Sequence, residues 1–416
     1  MIKNQTTLAF VALQALIIFA PIRPILAEEA PAAAATTGLV IPVDSKAFVF
    51  SPGNWSGDEG RGGAIYRQTW YSGAYFRVSW KTTSAPKTPK KATILLDTSS
   101  FGAGGKKIPL ITYNVDGIWR ADIPCKAEIF VDEGNIYSSE HTLTVYLQNS
   151  EQENRWGSPG TSGLNVLRVT GLRVDAGSEP IPSKPQQKWM LEVGDSITEG
   201  IGTDGNLSAY SYFVGQAMET QGYEYCVSAC GCSGWICKGD GAGDVPAYYA
   251  VSGSEKGAGG KYDDRASRWN KIDANQTLLD AKGHLSAYGE TGQEPSIITI
   301  NYGSNEAFSG ANKSDLQASI TQGLESLRGA APDAQIFVII PFGQFSAEVI
   351  HAAFSAYRSA HPNDQKVAII DLGVNLRYGA ADGGYWSGVH PNLRAHATFA
   401  ARIIAAIQAN LYSTSR

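Results

Sequence analysis

The sequence predicts an α/β protein in which a β-sandwich of the jelly-roll kind precedes a parallel sheet covered by helices on both faces. Three observations carry this. Residues 38–178 are a series of short runs rich in β-branched and aromatic residues, separated by Gly, Pro, Asn and Asp. Residues 179–187 then hold three prolines, as a linker does. From 188 to 416 short apolar runs alternate with helix-like stretches, the pattern of a sheet buried on both sides.

Residues 1–27 precede this body and read as a signal peptide. Lys3 leads an apolar run from Leu8 to Ala20, too short for a comfortable membrane span, and Ile25-Leu26-Ala27 ends on a small residue. The segment holds two bases and no acids, so the mature chain carries 32 bases against 39 acids, a net charge of −7. A chain this acidic offers no broad phosphate-binding surface, so nucleic acid is excluded as a partner. The expectation is a secreted or periplasmic protein with no membrane attachment after cleavage. Pro31–Thr37 is a small-residue linker.

In the first domain, strands are expected at Ala47–Phe50, Ala74–Trp80, Ala92–Leu96, Ile108–Tyr113, Glu128–Val131, Thr142–Leu147 and Leu167–Val174. In the second they are expected at Lys188–Val193, Tyr223–Val227, Ser296–Asn301, Gln335–Pro341 and Val367–Asp371. Helices are expected near Ser208–Thr220, Lys271–Ala287, Ser314–Arg328, Ala347–Ser359 and Asn392–Leu411. The Gly-rich stretch Ile236–Gly260 exceeds a normal connection and reads as a rim loop or lid. Cys226, Cys230, Cys232 and Cys237 fall within twelve residues. In an oxidising compartment they are expected as short-loop disulfides or buried thiols, with a zinc site as the sharper alternative and Cys125 left over.

In a parallel α/β sheet, chemistry belongs at the carboxyl ends of the strands. Gly194-Asp195-Ser196-Ile197-Thr198-Glu199-Gly200 follows the first strand and puts a serine on a tight, glycine-flanked turn. Gly231-Cys232-Ser233-Gly234 follows the second, Tyr302-Gly303-Ser304-Asn305-Glu306 the third, and Gly388-Val389-His390-Pro391-Asn392 precedes the last helix. Serine needs a base, and histidine titrates near operating pH. A tetrahedral oxyanion needs donors, which the Ser196 and Gly234 N–H groups and the Asn305 amide can supply.

These four stretches, in this order, resemble the conserved blocks of the SGNH (GDSL) hydrolases over residues 188–412. The resemblance implies a five-stranded, flavodoxin-like domain and ester hydrolysis. It also implies Ser196 as nucleophile, Ser196, Gly234 and Asn305 as oxyanion donors, and His390 as base. His361 repeats the His-Pro-Asn context but precedes a strand, at the amino end of the sheet. His141, His284, His351 and His396 read as solvated or structural. One position departs from the family: the triad acid normally stands three residues before the histidine, where this chain has Ser387. Either a carboxylate from elsewhere, Asp382 being nearest in sequence, or a backbone carbonyl is then required to orient His390.

A sandwich before such a domain is similar to the family-2 carbohydrate esterases, some of which are described as Ser-His dyads. Ser51-Pro52-Gly53-Asn54-Trp55, Gly73–Val78 and His141–Leu147 are looser matches to their first domain. That resemblance implies removal of acetyl groups from xylan- or mannan-type polysaccharides or oligosaccharides. Trp235, Tyr302 and Trp386 are the candidate sugar-contacting aromatics, with Phe308 and Tyr385 nearby. No nucleotide-binding or catalytic-metal motif occurs, so neither cofactor nor metal is expected. The rival readings are an esterase or lipase on non-carbohydrate acyl chains, and a glycan-binding protein on an inactive hydrolase scaffold.

Overall fold

Two antiparallel sheets of six strands each build the first part of the chain in the computed structural model. It describes residues 38–416 apart from 59–64, 84–90, 103–107, 132–133, 241–242, 253–259, 288–292, 374–385, 388 and 415–416. One sheet runs Ser56–Asp58, Tyr66–Thr69, Leu167–Val174, Ala92–Leu96, Glu128–Val131, with Leu39–Pro42 also paired to Leu167–Val174. The other runs Glu179–Pro180, Tyr75–Lys81, Glu140–Asn149, Leu110–Val115, Ile118–Pro124, with Phe48–Phe50 on Tyr75–Lys81. All seven strands expected in this region form. The additional ones are edge or exposed strands such as Ile118–Pro124, which lacks the alternating apolar signal because neither of its faces is buried.

The second part is a five-stranded parallel sheet in the order Tyr223–Ala229, Lys188–Gly194, Ile297–Asn301, Gln335–Ile339, Val367–Ile370. This is the flavodoxin-like order. Alternate residues on each strand serve opposite faces. Met190, Ile297 and Phe337 pack with Tyr210, Val214 and Met218 of the helix Tyr210–Glu219 and with Phe399, Ile403 and Ile407 of Leu393–Thr414. Leu191, Ile298 and Ile336 face the helices Lys313–Ala330 and Ala347–Ala360 through Leu316, Ile320, Leu324 and Ile350.

That second core is continuous with the interior of the sandwich, so Gly38–Arg416 pack as one unit. Polar ties reinforce the junction. Arg77 pairs with Glu219 and Glu224, and Asn54 Nδ2 donates to Val227 O at 3.1 Å.

One expected helix is absent. Residues 271–287 instead start with two short strands, Lys271–Asp273 and Gln276–Thr277, joined by a turn in which Asn275 N donates to Asp273 Oδ1 at 2.8 Å. An Asp side chain that captures the backbone two residues on stabilises a turn at the expense of a helix. Of the alternatives open for the four clustered cysteines, no disulfide forms, and all five thiols are free. Cys226 and Cys230 are buried while Cys232 is exposed, so the cluster is dispersed over different surroundings. Among the described residues no group of His, Cys, Asp and Glu is arranged to hold a metal ion. No described helix is long and apolar enough to cross a membrane. The signal segment 1–27, the linker Pro31–Thr37, Asp382 and Tyr385 lie outside the described residues, as do the side chains of Trp386 and Ser387.

Candidate active site

The interior strand Lys188–Gly194 delivers Ser196 to the carboxyl edge of the sheet. Asp195 caps the short helix Ser196–Glu199 by accepting from Ile197 N at 2.9 Å. A Cβ at Gly194 would lie 1.9 Å from Thr198 Oγ1, so the turn can fold back on its own strand only with glycine there. Ser196 is the one partly exposed residue of 191–200, the other nine being buried. Asp195 is itself buried, and its carboxyl is pushed up to about 7 by desolvation, with Glu306 adding to the effect.

His390 comes from the far end of the chain, on a tight hairpin in which Trp386–Ser387 pairs with His390–Pro391. Its Nε2 lies 3.0 Å from Ser196 Oγ. The ring is half-buried, and desolvation lowers its pKa below the ordinary value. Ser387, at the usual acid position, is the cross-strand backbone partner of His390.

The second and third blocks lock to each other. Asn305 Nδ2 donates to Ser233 O at 2.8 Å, which uses one of its two amide hydrogens. Glu306 is buried and accepts from Ile236 N at 3.1 Å and Cys237 N at 3.4 Å. Gly234 departs from its expected role. Its N–H donates to Cys237 O at 3.0 Å, inside the loop. A Cβ at 234 would lie 1.9 Å from Glu306 Oε1, so glycine is required there for packing on that carboxylate.

Two of the expected sugar-contacting aromatics are core residues. Trp235 is wholly buried against Tyr248, Tyr302 and Gly323 of the helix Lys313–Ala330. Tyr302 is buried too, its hydroxyl held by Arg268. Flat aromatic rings beside a site fill the space beneath it as readily as they line it, and nothing in a single sequence tells the two apart. Phe308, on the short helix Ser304–Ser309, is exposed and packs on Phe345.

Of the other histidines, His361 ends the helix Ala347–Ala360 ahead of Val367–Ile370, at the opposite edge of the sheet. His396 is buried and accepts from Tyr210 N at 3.0 Å through Nδ1. His141 pairs with Asp116 and His284 with Glu294, both at 2.7 Å.

Beneath the serine turn lies a buried network that no local motif announces. Arg155, wholly inaccessible, donates to Glu199 Oε1 at 2.7 Å and reaches Asp240 Oδ1 at 3.3 Å. Glu199 Oε2 accepts from Gln152 Nε2 and Gly231 N, each at 2.7 Å. One carboxylate thereby ties the serine helix to the second block. These partners, Arg155, Gln152 and Gly231, stand 44, 47 and 32 residues away in sequence, beyond the reach of any local pattern.

A serine hydroxyl on an imidazole nitrogen, with an amide donor anchored on a neighbouring loop, is equipment for acyl transfer. Residues 193–398 match the GDSL-like lipase/acylhydrolase family. This segment is a GDSL-like lipase/acylhydrolase domain, and the chain is an ester hydrolase. Among curated proteins none matches the sequence.

Solved structures share the fold of the GDSL-like domain and its sandwich together. An acetyl xylan esterase from the rumen bacterium Butyrivibrio proteoclasticus superposes with a TM-score of 0.61 at 15% identity, covering 90% of this chain and 99% of that one. A family two carbohydrate esterase from Clostridium thermocellum, in complex with cellohexaose, gives 0.59 at 16% identity over 88% and 99%. A salicylyl-acyltransferase from a tetracycline biosynthetic pathway gives 0.55 at 14% identity over 89% and 98%.

Proposed function

We propose that the protein is an exported serine esterase that removes acetyl groups from xylan- or mannan-type polysaccharides or their oligosaccharides. The observation that carries the reading is the 3.0 Å contact between Ser196 Oγ and His390 Nε2 at the carboxyl edge of the sheet. Ser196 Oγ attacks the acetyl carbonyl as His390 Nε2 accepts its proton. The oxyanion meets the Ser196 N–H and the second hydrogen of Asn305 Nδ2. Collapse breaks the acyl–oxygen bond and expels the sugar oxygen, which leaves as the hydroxyl by taking from His390 the proton that Ser196 gave up. Water, activated by His390, then attacks the acetyl-serine and releases acetate.

The carbohydrate reading is supported by the esterases whose fold the chain shares and by exposed Phe308, three residues from Asn305, as a surface for a sugar ring. The test is acetate release from acetylated xylan and glucomannan oligosaccharides, set against aryl acetate and longer acyl esters, with Ser196→Ala as the control. A preference for long acyl chains would replace the sugar reading with a lipase-like one. Glycan binding without any acetate release would reduce the protein to a binding module.

A further inference from the structure

The described part of the protein buries two arginines to within 1% of complete inaccessibility, and they are treated in opposite ways. Arg155 has two carboxylates, Glu199 and Asp240. Arg268 has none among the described residues. Its Nη2 donates to Tyr302 Oη and, at 3.3 Å, to Ser233 Oγ, and its Nη1 to Ser228 Oγ at 3.4 Å. Its Cζ stands 5.7 Å from the centre of the Tyr248 ring, and its Nε has no acceptor. A guanidinium cannot shed its charge, so this is a cation taken out of water and compensated only by hydroxyls and a ring face. Such burial is costly and calls for a use.

Its location supplies one. Ser233, which Arg268 holds by the hydroxyl, is the residue whose carbonyl anchors the Asn305 amide. Tyr302, which it also holds, leads through Gly303 into the helix that carries Asn305. The cation therefore lies directly behind both segments that meet at Asn305. The Arg268 backbone is fixed as well, its N–H donating to Ala247 O at 3.0 Å.

We infer that Arg268 is a positioning residue whose uncompensated buried charge, acting through Ser233 and Tyr302, favours the anionic tetrahedral intermediate at Ser196. This rests on the serine-esterase reading. A carboxylate beside Arg268 would cancel the field, and none stands there among the described residues. The charge is felt only when negative charge develops, so it raises kcat and leaves KM alone.

The experiment uses the full-length protein with an aryl acetate substrate and the variants Arg268→Lys and Arg268→Gln, with thermal midpoints measured alongside. Arg268→Gln should lower kcat roughly 10- to 100-fold with KM within about threefold. Arg268→Lys should retain clearly more activity at neutral pH, although it makes fewer planar hydrogen bonds. Lysine also introduces a signature that packing alone does not produce. A buried ammonium loses its proton well below the usual lysine range, so kcat of Arg268→Lys should gain an alkaline limb that the wild type lacks.

The groups facing position 268 do not titrate in that window. Burial pushes Cys230 up to about 12 and raises Cys226, Tyr71, Tyr248 and Tyr302 well above their ordinary values. If Gln retains as much kcat as Lys, or if the Lys variant shows no new limb, the inference is overturned. Should the Gln variant fail to fold, the pH profile of the Lys variant decides alone. An inactive wild type would instead strike at the esterase reading itself, an outcome distinct from active but equal variants.

Discussion

Gly202 lies against His390 so closely that a Cβ built on it would sit 2.8 Å from His390 Cβ. The glycine also holds φ +89, a conformation that L side chains avoid. The turn after the serine helix thus acts as a backstop for the imidazole. Gly202→Ala should displace the ring and lower kcat roughly 100-fold, because about 1 Å of misplacement is enough to cost that much. The folded state should survive with a modestly reduced thermal midpoint. A normal kcat in this variant would mean that His390 does not work from the position described.

Ser196→Ala and His390→Ala should each remove nearly all ester hydrolysis while leaving the thermal midpoint close to that of the wild type. The two residues act as a unit, so the double variant should be little slower than either single one. Multiplying losses would show that they work independently.

Asn305→Ala should reduce kcat about 100- to 1,000-fold with little change in KM, since its second amide hydrogen meets charge found only in the transition state. The same substitution frees Ser233 O from its 2.8 Å partner, so some loss of stability accompanies it. A fall in thermal midpoint with turnover intact would assign Asn305 to structure.

Desolvation lowers the His390 pKa from its ordinary 6.5. The base must be neutral to accept a proton, so the acidic limb of kcat/KM should fall below that value. Ser387→Asp places a carboxylate opposite His390 across the hairpin, and should raise the pKa and shift the limb to higher pH. An unmoved limb in a folded Ser387→Asp protein would remove residue 387 from any part in orienting the imidazole.

His396 gives a stability prediction of definite sign. Burial, with His390 nearby, pushes its pKa from 6.5 to about 3. The native state keeps it neutral while the unfolded chain protonates it, so its contribution to stability is present above about 6.5 and is lost as the pH falls toward about 3. His396→Gln should therefore lose less stability than wild type between pH 7 and pH 4 in matched urea titrations. Parallel curves for the two proteins would count against a neutral buried His396.

The legible features were those written in short stretches of chain. All five parallel strands could be read, because each is an apolar run that ends near a glycine or polar block. The family resemblance of the four blocks paired Ser196 with His390, and strand direction set His361 aside. Contacts across the molecule were not legible. Arg155 and Arg268 look like surface residues until the fold closes over them. Trp235 and Tyr302 sit next to the right motifs and yet face inward. The Lys271–Ala287 stretch has enough helix formers to suggest a helix, but Asp273 and Asn275 settle its first residues as a turn.

Arg155 and Gln152 precede the proline-rich stretch 179–187, whereas Glu199, Gly231 and Asp240 follow it. That stretch resembles a natural cut point between two exchangeable modules, but the charge balance runs across it. A fragment beginning at Lys188 would carry Glu199 and Asp240 without the guanidinium that pairs with both. A donor sandwich from another protein would have to bring an arginine to the same spot. Cutting or swapping at that stretch therefore strands two buried carboxylates, and loop grafting within one half is a safer route to new specificity than swapping the other.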